Sequence, residues 1–269
     1  LRCRFDGQPL TISGMVTREA TPHLAAAIEF SEGRLTLTGR LDPEELVVEE
    51  AVLSLARSRL RLSGRLARQS QQPSTLRLAG TVEFAELPTV PFVNRSLPEQ
   101  WKLQGLSAVE ATFQGMFSDW RRALIQARLQ AEKLRVGDWP VEQIACEMEQ
   151  NHETLRVRIP SAVIAEGTAF GELVVEHGTT AAYLLQADLV GIQLGRLAQR
   201  IPAWGSRSVA GTASAHALLS GTWQDPATWR GDGWLNASGE RLGDLPLLDK
   251  LMRGIFGMLG ERLGLESLR

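Results

Sequence analysis

The sequence predicts a mainly β protein: a long, curved antiparallel sheet whose apolar face forms a groove, with few short helices and a C-terminal amphipathic helix. Three observations predict it. Apolar and polar residues alternate with period two over most of the 269 residues, as in "LRLSGRL" at 60–66 and "LRLAGTVEF" at 76–84. That period belongs to strands with one face in water, the habit of antiparallel sheets. Turn-forming stretches interrupt the runs at short intervals. Helical spacing is scarce, and the long apolar strands and regular crossover helices of a doubly wound parallel sheet are missing. A dozen or more strands are expected.

Taken in order, "LTLTGRL" (35–41) reads as a strand closed by the turn "LDPEE". Leu60, Leu62 and Leu66 alternate with Arg61, Ser63 and Arg65, and "RQSQQPS" ends that run. Leu76, Leu78, Val82 and Phe84 then alternate with Arg77, Thr81 and Glu83. "LPTVPFVNRSLPEQW" is Pro-rich and reads as a loop with one helical turn. Ile125, Ala127, Leu129 and Ala131 alternate with Gln126, Arg128 and Gln130; Leu155, Val157 and Ile159 with Arg156 and Arg158. "GIQLGRLAQRI" spaces Ile192, Leu197 and Ile201 as a short helix stopped by Pro202. Ala213, Ala215, Ala217, Leu219 and Trp223 resume the strand pattern. The tail, Leu247 to Leu263, carries a helical apolar stripe of Leu248, Leu251, Met252, Ile255, Leu259 and Leu263. Its Gly254, Gly257 and Gly260 each cost about 1 kcal/mol against Ala, so this helix needs a partner surface. Loose repeats recur: "GMFSDW" and "GTWQDPATW" each precede a long alternating stretch ending in "GDWP" or "GDLP". One continuous sheet is expected in three units: 1–97, 98–186 and a C-terminal unit, 187–269.

Bulk properties narrow the function. Net charge is −2, spread evenly, so there is no basic face for nucleic acid. Hydrophobic residues make up 43% and charged residues 22%, which excludes wholesale disorder. Cys3 and Cys146 form no CxxC pair; a disulfide between them is open, but two small buried hydrophobes is the plainer reading. No apolar run reaches the roughly 18 residues of a membrane helix. A chain starting at Leu1 without a leader is expected to be a fragment, with any anchor outside it.

Catalytic patterns fail one by one. His152-Glu153 would need a histidine where Arg156 stands to make a zinc-protease motif. His23, His152, His177 and His216 lie far apart, no GxSxG is present, and "GDGWLN" has Asn236 where a dinucleotide fingerprint needs glycine. Gly231–Gly233 is instead expected to be a tight turn. Glu44, Glu45, Glu49 and Glu50 read as a solvated edge. There are seven tryptophans against one tyrosine; Trp120, Trp139, Trp223, Trp229 and Trp234 gather near the repeated turn phrases, to plug sheet corners or to line a groove rim. No metal, cofactor or catalytic residue is expected.

The stretch from Gln186 to Met252 resembles the C-terminal region of AsmA-like proteins, a family whose relatives include TamB and YhdP. The matching positions are Gly211, Ala213, Ala215, Leu219 and Gly221, then Gly231, Gly233, Leu235, Gly239, Leu242, Leu245, Pro246, Leu247, Leu248 and Leu251. The resemblance covers about the last 80 residues. It implies a curved sheet with a greasy groove, akin to bridge-like lipid transfer proteins, in the periplasm of a double-membraned bacterium. It further implies anchoring to the inner membrane by a segment outside this chain, a role in moving phospholipids between membranes and outer-membrane biogenesis, and no catalysis.

A sheet apolar on one face must bury that face under a second sheet, under helices, or around a ligand. Helices are too few here. A sandwich or closed barrel remains open, but the many small inward residues favour a trough with lumen space. The expected function is therefore a non-enzymatic envelope protein that binds or conducts phospholipid or other acyl chains. The alternatives are an assembly scaffold acting by strand addition, then a β-sandwich enzyme or sugar-binding module. The expected groove lining is Leu60, Leu62, Leu76, Leu78, Val82, Phe84, Leu155, Val157, Ile159, Leu219 and Trp223. Arg61, Arg65, Arg77, Glu83, Arg156 and Arg158 are expected to face water. Leu248, Leu251, Met252, Ile255 and Leu259 are expected to dock the tail over the groove as a lid. Membrane contact and envelope protein partners are compatible with this reading.

Overall fold

The computed structural model describes residues 2–5, 8–17, 22–69, 71–90, 103–137, 139–178, 181–199, 210–222 and 225–241. Period two becomes strand wherever a turn closes the run. The strands are β1 (Arg2–Phe5), β2 (Gln8–Val16), β3 (His23–Phe30), β4 (Gly33–Leu41), β5 (Glu45–Ser54), β6 (Arg59–Ala67), β7 (Ser74–Glu83), β8 (Leu103–Gln104), β9 (Leu106–Gly115), β10 (Leu124–Val136), β11 (Trp139–Gln150), β12 (Thr154–Ile164), β13 (Gly167–Glu176), β14 (Ala182–Gln193), β15 (Ala210–Thr222) and β16 (Asp225–Arg241). Fifteen lie side by side in chain order, all antiparallel, and the two-residue β8 pairs with the end of β10. The sheet is curved and does not close into a barrel; among the described strands β1 and β16 are its edges. The one described α-helix, α1 (Leu194–Ala198), is five residues long, and 3-10 turns occupy Phe84–Thr89 and Phe117–Arg122. The expected unit boundary at residue 186 falls inside β14.

Breaks of register punctuate the alternation. On some strands they let apolar residues three apart share a face: Val48 and Ala51 on β5, Val141 and Ile144 on β11, Ile159 and Ala162 on β12, Leu189 and Ile192 on β14. Glu49 and Glu50 are the exposed bulge residues of β5, which gives the acidic run its place. Gln143 on β11 adopts φ 49°, and Gly191 on β14 adopts φ 66°, the left-handed region that glycine enters freely. Bulges increase local twist and bend a sheet. The recurring "L-x-L-x-G" phrase also has a steric reason. A Cβ at Gly64 would lie 2.1 Å from the Thr75 carbonyl oxygen on the next strand.

The two faces differ in chemistry, with Leu124, Phe170, Leu184, Val190, Leu218 and Trp234 as exposed apolar members of the polar face. The polar face carries a cross-strand ladder Glu110–Arg128–Glu147–Arg158–Glu172. Its ion pairs include Arg128–Glu147 at 3.6 Å and Arg158–Glu172 at 3.7 Å. Such pairs contribute a few tenths of a kcal/mol each and fix register. Buried apolar residues concentrate on the other face: Val141, Ala162 and Ala169 form one cluster, and Leu194, Ala198 and Ala213 another where α1 docks.

Three expectations are corrected. Phe84 is not a strand residue: β7 stops at Glu83, and the Phe84 amide donates to the Gly105 carbonyl as the chain enters a 3-10 turn. Glu83 does not face water but is buried. Its carboxylate accepts from the Gly105 amide at 2.6 Å and pairs with Arg57 at 2.9 Å, which offsets desolvation. Gly231–Gly233 is no turn but lies within β16, opposite Leu219 and Ala217. A Cβ at Gly233 would sit 2.5 Å from the His216 carbonyl, so glycine there serves close strand approach.

Candidate functional site

Directly opposed residues of an antiparallel pair share a face, so the register can be followed across the whole sheet. One row reads Gly14, Ala26, Leu37, Ala51, Leu62, Leu78, Ala111, Ala127, Met148, Val157, Leu173, Leu185, Leu219, Gly231. Fourteen strands are crossed without one polar side chain. A parallel row runs Ile12, Ile28, Leu35, Leu53, Leu60, Gly80, Val109, Leu129, Cys146. A third runs Leu24, Gly39, Val48, Gly64, Leu76, Phe113, Ile125, then the single polar member Gln150, then Leu155, Val175, Tyr183 and Gly221. At about 4.8 Å per strand, the apolar band is roughly 60 Å long and runs across the strands.

Its margins are built. On one side, Gln150 is buried and its amide donates to the Trp120 carbonyl at 2.7 Å, tying the Phe117–Arg122 turn over the ends of β9–β11. Phe117 stacks on Phe113 with ring centroids 4.7 Å apart. Further along the same side, Trp229 meets Tyr183 edge-on at 6.0 Å, and its indole N–H donates to the Thr222 carbonyl at 3.1 Å. On the opposite side, α1 lays Leu194 and Ala198 on Ala213. Between these margins the row residues Leu37, Leu62, Leu78, Leu173, Leu185 and Leu219 are only half-buried. Among the described residues no second layer of protein lies on them; each strand packs chiefly on its neighbours in the sheet.

The expected lining residues Leu60, Leu62, Leu76, Leu78, Val82, Leu155, Val157, Ile159 and Leu219 all stand on this face. Phe84 stands in its 3-10 turn, and Trp223 lies outside the described residues, as do the lid residues Leu248, Leu251, Met252, Ile255 and Leu259. The outward arginines Arg61, Arg65, Arg77, Arg156 and Arg158 are exposed. Sequence reasoning missed Gln150, the last residue of β11, and Tyr183, the second of β14, because alternation gives no signal at a strand's end. Cys146 is a free thiol half-buried on the apolar face, its pKa pushed up by burial and by Glu147.

The polar face holds one further cluster. His216 Nδ1 and Asp188 Oδ1 are 2.6 Å apart, Gln186 donates to the other Asp188 oxygen at 3.1 Å, and Trp234 stacks on His216. The hydrogen bond with His216, then that from Gln186, holds the Asp188 carboxyl below its ordinary range. Pattern reading missed the pair because its members lie on separate strands. Among the described residues no three His, Cys, Asp or Glu side chains converge as a metal set, and no helix is long and apolar enough to cross a membrane. Compared with protein-family models, curated proteins and solved structures, the chain matches none.

Proposed function

We propose that this protein binds acyl chains of lipids along its apolar face and acts without catalysis. The observation that carries the proposal is the uninterrupted row from Gly14 to Gly231, half-exposed and bordered by built margins. A water-facing apolar band of this length is unfavourable, and proteins keep one when something covers it. Each methylene moved from water onto such a face contributes up to about 0.8 kcal/mol, so acyl chains would supply the missing layer while head groups stay in water. The row has no polar stop at which a chain would be arrested, which suits movement along the band as well as holding. The likeness of Gly211–Leu251 to the AsmA-like pattern points the same way. With it comes the proposal of a periplasmic setting, with phospholipid passing between two membranes.

The test is direct. Protein purified from cells without detergent is extracted and its lipids are identified and counted by mass spectrometry. Stoichiometric phospholipid or fatty acid is expected. Protein that is folded and carries no lipid, and that takes up none from phospholipid vesicles, refutes the proposal.

A further inference from the structure

Among the described residues the strand β16 is an edge of seventeen residues, whereas the opposite edge, β1, has four. Long edges are normally blunted by charged side chains, proline or a covering element. On β16 the proline, Pro226, stands near the start; the stretch Ala227–Leu235 holds one residue of each charge, Arg230 and Asp232, and no described element covers it. We infer that β16 pairs antiparallel with β16 of a second copy of this chain, with the two-fold axis at Gly231.

The register follows from two requirements. First, the apolar faces of the two copies must lie on one side. Opposed residues share a face, so the axis must pass through a residue rather than between two. Second, opposite charges must meet. Arg230 and Asp232 are exposed on the polar face, and neither makes an ion pair within the chain among the described residues. An axis at Gly231 sets Arg230 against the second copy's Asp232 and, by symmetry, Asp232 against its Arg230. Moving the axis to residue 230 or 232 sets like charges against each other. An axis at 233 sets Arg230 against asparagine and Asp232 against tryptophan, and one at 235 sets Arg230 against Glu240 but leaves Asp232 against serine. The favoured register also puts the Trp229 indole beside a glycine on both flanks: its own Gly221 and the second copy's Gly233. The contact is isologous and closes as a dimer. It joins the two apolar rows at Gly231, so one band runs through both copies. The inference rests on the edge and its charges, not on the acyl-binding proposal.

Sedimentation at micromolar protein tests it. The wild-type chain is expected to be a dimer. Arg230→Asp replaces two opposite-charge pairs by two like-charge pairs and should weaken the dimer about tenfold or more. The double variant Arg230→Asp/Asp232→Arg should restore it. Gly231→Cys adds a Cβ whose nearest neighbours lie at 3.4 Å, and mild oxidation should join residue 231 to residue 231, as read by peptide mapping. Circular dichroism confirms that each variant keeps its sheet. A monomeric wild-type chain, a dimer indifferent to Arg230→Asp, or cross-links that avoid residue 231 each overturn the inference.

Discussion

Placing two carboxylates in the middle of the apolar band separates acyl binding from folding. Leu62 and Leu78 face one another across β6 and β7, and both are half-buried in the free chain. Full burial of a leucine is worth about 1.5–3 kcal/mol, so covering the exposed half of each by an acyl chain contributes on the order of 1 kcal/mol, or about 2 for the pair. Leu62→Asp/Leu78→Asp removes that contribution and adds the cost of desolvating carboxylates under the lipid, several kcal/mol per ion when complete. Lipid affinity should therefore fall by about 30-fold at least. The sheet should survive, because no described element packs on these side chains and the carboxylates stay hydrated when lipid is absent. Lipid recovered per protein is measured by mass spectrometry, and fold by circular dichroism and thermal melting. Arg77→Asp, on the exposed polar face of β7, is the control and should leave lipid loading unchanged. A folded double variant carrying as much lipid as wild type would refute the reasoning.

Gln150→Leu should destabilise the protein by about 0.5–1.5 kcal/mol, since its hydrogen bond to the Trp120 carbonyl is lost while that carbonyl still accepts from the Ala123 amide; a lowered melting temperature checks this. Deleting Glu49 removes one bulge residue yet keeps Val48 and Ala51 on the same face, so the protein should still fold. Deleting Thr36 from the regular β4 would turn half that strand over and should abolish soluble expression. Asp188 is held below its ordinary pKa, so its contribution to stability is present above about pH 4, the unfolded value, and is lost as pH falls through the lower folded value. Denaturant midpoints followed from pH 6 down to pH 3 should therefore fall more steeply for wild type than for Asp188→Asn.

The sequence by itself determined the fold class, most strand positions and the division into a wet and a greasy face. The reason is local. In a strand the side-chain period is two, so "LRLSGRL" states which residues go together without reference to the rest of the chain. The same local rule failed where the chain leaves the strand or breaks step. Nothing near Glu83 announces that its carboxylate will reach the Gly105 amide, or that Phe84 will start a 3-10 turn. Gly231 and Gly233 carry the composition of a turn, yet their glycines answer to the backbone of β15 across the ladder. Only the tertiary structure decided that Val48 and Ala51, three apart, point the same way, because a bulge is defined by what the neighbouring strands do. Only it aligned fourteen strands so that Gly14 and Gly231, more than two hundred residues apart, end one apolar row. Each strand encodes its own face; the register between strands, set by turns and bulges together, turns those faces into a continuous surface.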